Sequence, residues 1–274
     1  MKNPLVGISW LLENIENPDL ILLDASLKKA MSGSDYDADS KIPGSRYFDL
    51  ENHFSDVENS LPHMMPSPEQ FTCEARRLGI SDNSIVVVYD NIGLYVSPRV
   101  WWMFLAMGHQ NVFVLDGGLP EWKKAGHPVV SSCLTAKNTG NFSADYKPNL
   151  IVAKDQVLDA IRHQSATIID ARSNNRFRGT APEPRKGLRS GHMPGAINIP
   201  FGEVLNGNIF ADENDLKHTF ESIPDKKTPL IFSCGSGVTA CIDALAATVA
   251  GYENIAVYDG SWSEWGADLG CPVV

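Results

Sequence analysis

Apolar residues along the chain fall into two spacings. Short unbroken runs such as Ile85–Val88 and Pro229–Phe232 suit strands buried on both faces of a parallel sheet. Elsewhere the apolar positions repeat at helical spacing. Val238, Cys241, Ile242, Leu245 and Val249 make one stripe, and Gly251 follows as a C′ glycine. Ser97-Pro98 predicts an N-cap and first-turn proline for a counterpart helix that stops at Gly108. Strand and helix alternate throughout, so the chain is α/β.

The pattern occurs twice. Leu11, Leu12, Ile15 and Ile21-Leu22-Leu23-Asp24-Ala25 recur as Val157, Leu158, Ile161 and Thr167-Ile168-Ile169-Asp170-Ala171. Ile42-Pro43-Gly44 recurs as Met193-Pro194-Gly195, and the run Ile85–Tyr89 as Leu230–Ser233, which sets Asp90 opposite Cys234. Asp116-Gly117 with Trp122 recurs as Asp259-Gly260 with Trp265. The expected organisation is two tandem α/β domains, each a mainly parallel sheet flanked by helices. They span 1–137 and 150–274. The joining linker, 138–149, is placed from the polar stretch Ser131–Lys147.

Composition narrows the partners. Lys and Arg number 23 against 33 Asp and Glu, a formal charge of −10 over 274 residues, which argues against a nucleic-acid or anionic-membrane surface. The longest apolar stretch, Val100–Met107, falls far short of a membrane span, and Met1 to Asp24 shows no secretory pattern. Five cysteines without a CxxC pair or zinc-like spacing fit a reducing, cytoplasmic compartment and no metal site. A monomer is the default expectation. A regulatory disulfide involving Cys73, Cys133 or Cys271 stays open.

One segment carries chemistry. In Phe232-Ser233-Cys234-Gly235-Ser236-Gly237-Val238-Thr239-Ala240 a buried strand ends, a cysteine follows at once, and a glycine-containing loop feeds a helix. Gly235 and Gly237 free the backbone to curl, so that successive N–H groups point inward and favour negative charge. A cysteine there is expected to be a thiolate near neutrality. The same donors suit a persulfide or a developing anion. Cys73, Cys133, Cys241 and Cys271 read instead as small buried apolar residues. Only the second half can carry thiol chemistry, because the matching residue of the first is Asp90. A cysteine phosphatase loop would need an arginine six residues after Cys234, where Ala240 stands.

Across essentially its whole length the chain resembles the two-domain rhodanese superfamily. The resemblance is carried by Cys234–Ala240, by Gly191-His192-Met193-Pro194-Gly195-Ala196 and by Asp259-Gly260-Ser261-Trp262, in that family's arrangement. The loop looks like that of members using 3-mercaptopyruvate, since Gly235 and Ser236 stand where thiosulfate-using members carry basic residues. The second half also has the longer segment Arg176–Arg185, a candidate clamp because arginine forks grip carboxylates through paired charge-assisted hydrogen bonds. By resemblance, Arg176 and Arg185 match substrate-binding arginines, while Arg178 and Arg189 read as surface or structural and His192 as stabilising its turn. The resemblance further implies that Glu51, His63 and Ser236 move protons, with Asp49 as rival to Glu51. Gly235, Gly237, Val238, Thr239 and Tyr95 then line the substrate.

The resulting expectation is a sulfurtransferase that passes sulfur from 3-mercaptopyruvate through a Cys234 persulfide to a thiol or cyanide, releasing pyruvate. The acceptor would be thioredoxin or a small dithiol. No metal or organic cofactor is required. The alternatives are a thiosulfate:cyanide sulfurtransferase and a non-catalytic sulfur-carrier or binding module.

Overall fold

In a computed structural model, which describes residues 3–27, 39–223 and 225–274, the apolar runs are strands and the stripes are helices. The first half runs β1 (Leu5–Val6), α1 (Ile8–Asn14), β2 (Leu20–Asp24), β3 (Arg46–Tyr47), α2 (Pro68–Arg77), β4 (Ile85–Tyr89), α3 (Ser97–Ala106), β5 (Val112–Leu115) and α4 (Gly118–Lys124). The second half opens with β6 (Ile151–Val152), α5 (Lys154–His163), β7 (Thr167–Asp170), α6 (Asn174–Phe177) and β8 (Ile197–Asn198). A 3-10 turn over Phe201–Val204 leads to β9 (Leu205–Asn206), β10 (Ile209–Phe210) and α7 (Glu213–Thr219). Then follow β11 (Leu230–Ser233), α8 (Ala240–Val249), β12 (Ile255–Tyr258) and α9 (Ser261–Trp265).

Two units result. Unit 1 comprises Met1–Asp56, Met65–Lys147 and Gly207–Phe210; unit 2 comprises Val57–Met64, Pro148–Asn206 and Ala211–Val274. Unit 1 holds a five-stranded parallel sheet in the order β1-β5-β4-β2-β3. The sheet of unit 2 has the matching order β6-β12-β11-β7-β8, also parallel. The duplication read from the sequence is thus a duplication of topology. In each copy the central strand, β4 or β11, is covered on both faces, which is why its run is apolar without alternation.

The cores explain which residues recur. Val6, Leu11, Leu22, Val87, Phe113 and Trp122 pack on one face of the first sheet. Val152, Val157, Ile168, Ile231, Trp262 and Trp265 do the same in the second. The matched Trp122 and Trp265, and Trp262, each spend the indole N–H on a backbone carbonyl: Trp122 on Pro128, Trp262 on Arg189 and Trp265 on Pro272, at 2.8–2.9 Å. They are packing residues with satisfied polar tips.

Three local expectations change. The helix α8 is buried on nearly every side rather than along one stripe, and Val249 is only half-buried. Gly251 does close it in the left-handed region, φ +91°. In α3 the Ser97 hydroxyl does not cap the helix; it donates to the Asp90 carboxylate at 2.8 Å. Residues 138–147, expected as linker, pack onto unit 1. Phe142 is buried against Phe71 and Phe104, and its N–H donates to Ile80. One apolar anchor in a polar stretch suffices to hold it. Among the described residues no helix is long and apolar enough to cross a membrane.

Candidate active site

The loop of interest leaves β11 at Ser233 and enters α8 at Ala240. Its outer edge is fastened to the start of α9. The Cys234 carbonyl accepts from the Trp262 N–H (3.0 Å), and the Gly235 carbonyl accepts from the Ser263 N–H (2.9 Å) and hydroxyl (2.6 Å). Ser261 Oγ accepts from the N–H groups of Cys234 (3.2 Å) and Gly237 (3.1 Å) and donates to the Tyr258 carbonyl (2.8 Å). Gly237 turns the loop at φ +74°, a conformation that favours glycine. The N–H groups of Gly235, Ser236, Val238 and Thr239 have no protein acceptor among the described residues. Four open donors next to Cys234, at the entry to a helix, form a concave anion cradle.

Gly235 lies against two arginines. A Cβ there would stand 3.3 Å from Arg176 Nη2 and 3.7 Å from Arg185 Nη1. Both arginines come from the long segment after β7, and both guanidinium groups reach the residue that follows Cys234. The sequence put such a clamp away from the loop; folding returns it to the loop's edge. Arg176 is braced by Glu183, whose carboxylate accepts from its Nε (3.2 Å) and Nη2 (2.6 Å). Glu183 is itself buried and also accepts from Arg172 Nη1 at 2.9 Å. Arg172 in turn pairs with Asp170 and lies over the Trp262 ring, 4.0 Å from its centroid. Arg185 is exposed and makes no hydrogen bond or ion pair among the described residues.

His63 counts with unit 2, in the segment Val57–Met64. Its Nδ1 lies 3.3 Å from Ser236 Oγ, and its backbone takes φ +60°, a strained conformation for a side-chain-bearing residue. Cys234, Ser236, His63, Arg176 and Arg185 therefore belong to one unit. Glu51 and Tyr95 belong to unit 1, each half-buried. Asp49, the rival to Glu51, gives both carboxylate oxygens to Asn52.

Arg189, His192 and Cys241 are held by structural contacts, whereas Arg178 is exposed, and of the cysteines read as buried apolar residues Cys73 is exposed and Cys133 half-buried. Arg189 donates to the carbonyls of Gly266, Cys271, Trp265 and Asp268. His192 Nδ1 donates to the Phe177 carbonyl (2.9 Å), and the ring stacks on that of Phe177. Cys241 is core, its Sγ 3.3 Å from the Gly237 carbonyl.

Sequence reasoning missed Ser261, Glu183 and Asp243. Asp243 lies in the first turn of α8, fully buried, and neither carboxylate oxygen has a partner among the described residues. Burial pushes its carboxyl well above the usual range, and the nearby Cys234, Asp170 and Glu203 add to the shift. No group of three or more His, Cys, Asp or Glu is placed to hold a metal ion among the described residues.

Known proteins are similar to this chain in sequence and in fold. A family profile described as "Rhodanese-like domain" matches residues 8–125 and 153–268. "Thiosulfate/3-mercaptopyruvate sulfurtransferase 1, mitochondrial" of Arabidopsis thaliana is 40% identical over 99% of this chain and 78% of its own length. The 3-mercaptopyruvate sulfurtransferase of Escherichia coli (strain K12) is 37% identical over 98% of this chain and 96% of its own. The crystal structure of SseA from Escherichia coli superposes with a TM-score of 0.83 at 34% identity, covering 95% of this chain and 99% of that one.

Proposed function

The chain belongs to the rhodanese-like family, and on that premise we propose that it is a sulfurtransferase taking sulfur from 3-mercaptopyruvate. The observation that carries the reading is the convergence of two guanidinium groups, Arg176 and Arg185, on Gly235 beside the Cys234 cradle. A 2-oxo carboxylate carrying a thiol fits that combination. Its carboxylate and carbonyl meet the arginines while its sulfur meets Cys234.

The reaction has two steps. Cys234 thiolate attacks the donor sulfur; an S–S bond forms, the C–S bond breaks, and its electron pair passes into the enolate of pyruvate. The arginines stabilise that charge, and Ser236, with His63 beside it, supplies a proton to the enolate carbon. Cys234 is left as a persulfide, with the amides of Gly235, Ser236, Val238 and Thr239 facing the added sulfur. A thiolate acceptor, or cyanide in the test tube, then attacks the outer sulfur and restores Cys234. Glu51 as acid partner of His63, and Tyr95 as a substrate contact, are parts that the family resemblance supports. The acceptor is thioredoxin or a small dithiol, the protein acts as a cytoplasmic monomer, and the catalytic cysteine belongs to the domain of residues 150–274.

The test compares kcat/KM for 3-mercaptopyruvate and thiosulfate on one preparation, with mass spectrometry of the donor-treated protein. The expected result is preference for 3-mercaptopyruvate and about 32 Da added at Cys234, removable by a dithiol. Arg185→Ala should raise KM for 3-mercaptopyruvate about tenfold or more. A clear preference for thiosulfate overturns the donor, and no added sulfur overturns the enzyme.

A further inference from the structure

Ser261 opens α9 in a conformation that glycine would fill more easily. Its φ is +49°, it is fully buried, and its hydroxyl uses its donor on Tyr258 while accepting from both Cys234 and Gly237. The repeat supplies a control inside the same chain. The matching residue of unit 1 is Gly118, φ +51°, where a Cβ would stand 2.5 Å from the Asp90 carbonyl oxygen and 2.7 Å from that of Gly93. Asp90 and Gly93 are the counterparts of Cys234 and Gly237. Unit 1 thus has glycine in this conformation, whereas unit 2 holds the same backbone angle with a side chain attached. In unit 1 the Gly93 N–H is satisfied by the loop's own Asp90 carboxylate, at 2.9 Å. Cysteine cannot do that, and in unit 2 the corresponding N–H goes to Ser261 Oγ instead.

We propose that Ser261 is a positioning residue for sulfur transfer: its hydroxyl ties the first and fourth residues of the loop together and so holds the remaining amides toward the Cys234 sulfur. The proposal rests on reading Cys234 as the sulfur carrier. Without the hydroxyl the Cys234 and Gly237 N–H groups lose the acceptor they share, and the arc from Cys234 to Gly237 loses the tie that fixes its width. That loss takes the amides of Gly235, Ser236, Val238 and Thr239 out of register with the sulfur. The arginine clamp is braced separately, through Glu183.

Ser261→Gly keeps the backbone angle and removes the hydroxyl; Ser261→Ala keeps the Cβ as well. In both, iodoacetamide alkylation of Cys234 at neutral pH should slow about tenfold, with its rise displaced to higher pH. The kcat with 3-mercaptopyruvate should fall about tenfold while KM stays within about twofold. Alkylation profiles that superimpose on the wild type in both variants overturn the proposal, whatever happens to the melting temperature. A loss carried wholly by KM also overturns it. If the wild type takes no sulfur from 3-mercaptopyruvate, the sulfur-carrier reading fails on its own, while the alkylation profile still reports whether Ser261 governs the thiol.

Discussion

In unit 1 the central strand β4 runs into Asp90, and the residues that follow fold over its carboxylate. Oδ1 accepts from the N–H groups of Ile92 and Gly93, and Oδ2 from those of Tyr95, Val96 and Ser97 and from the Ser97 hydroxyl, all at 2.8–3.0 Å. In unit 2 the central strand β11 runs into Cys234, and four of the amides that follow stay open. The strand-to-helix turn makes an anion cradle in both copies. One copy fills it with its own carboxylate; the other leaves its donors open, as the proposed transfer through Cys234 requires. The difference between a structural knot and a reactive loop is then one side chain and what it does with the amides.

The largest effect should come from erasing that difference. Cys234→Asp gives unit 2 the residue of unit 1, whose carboxylate can take up the open donors. Transfer from 3-mercaptopyruvate should fall by at least about 10⁴-fold, with no mass added at position 234 and no loss of melting temperature. Sulfur uptake surviving in this variant would place the chemistry elsewhere. The converse change, Asp90→Ala, strips the acceptor from five N–H groups and a hydroxyl in a buried loop. It should cost about 3–5 kcal/mol in urea denaturation. A cost under about 1 kcal/mol would mean the loop rearranges freely and the knot holds little together.

The contrast also shows what the sequence could express. The parallel strands, the duplication and the Cys234 loop are written in neighbouring residues, so hydrophobic runs and glycine placement suffice to read them. Asp90 was visible as the counterpart of Cys234, but its six bonds depend on how residues 91–97 curl. The brace from Glu183 to Arg176, the tie from Ser261 and the anchoring of Phe142 on unit 1 depend on contacts between segments far apart in sequence or on side-chain geometry. A signal for Ser261 did exist. Asp116-Gly117-Gly118 against Asp259-Gly260-Ser261 pairs glycine with serine where the first copy needs a positive φ. Asp243 was hidden in a stripe of apolar neighbours, Cys241, Ile242 and Leu245.

The repeat pairs Asp243 with Arg99, each nine residues past the end of its central strand's loop anchor, and each fully buried. At this position of the helix unit 1 buries a cation, whereas unit 2 buries a carboxyl near its cysteine. Asp243 has no hydrogen-bond partner among the described residues, and burial followed by the charges of Cys234, Asp170 and Glu203 favours its neutral form. The consequence for stability has a definite sign. The native state holds this proton to higher pH than the unfolded chain, whose aspartate titrates near about 3.9. Above that value unfolding releases the proton, so this residue's contribution to stability falls as pH rises toward its native pKa. Asp243→Val has nothing to titrate and leaves no polar atom unpaired, so it should be more stable than the wild type by about 1–3 kcal/mol near neutrality. The gap should widen between pH 5 and pH 8 in denaturant titrations, and Asp243→Asn should show the same widening from a smaller starting gain. A gap that is constant with pH, or that narrows, would mean the carboxylate ionises in the native state at its ordinary pH. Unit 2 would then bury a negative charge near its cysteine where unit 1 buries a positive one.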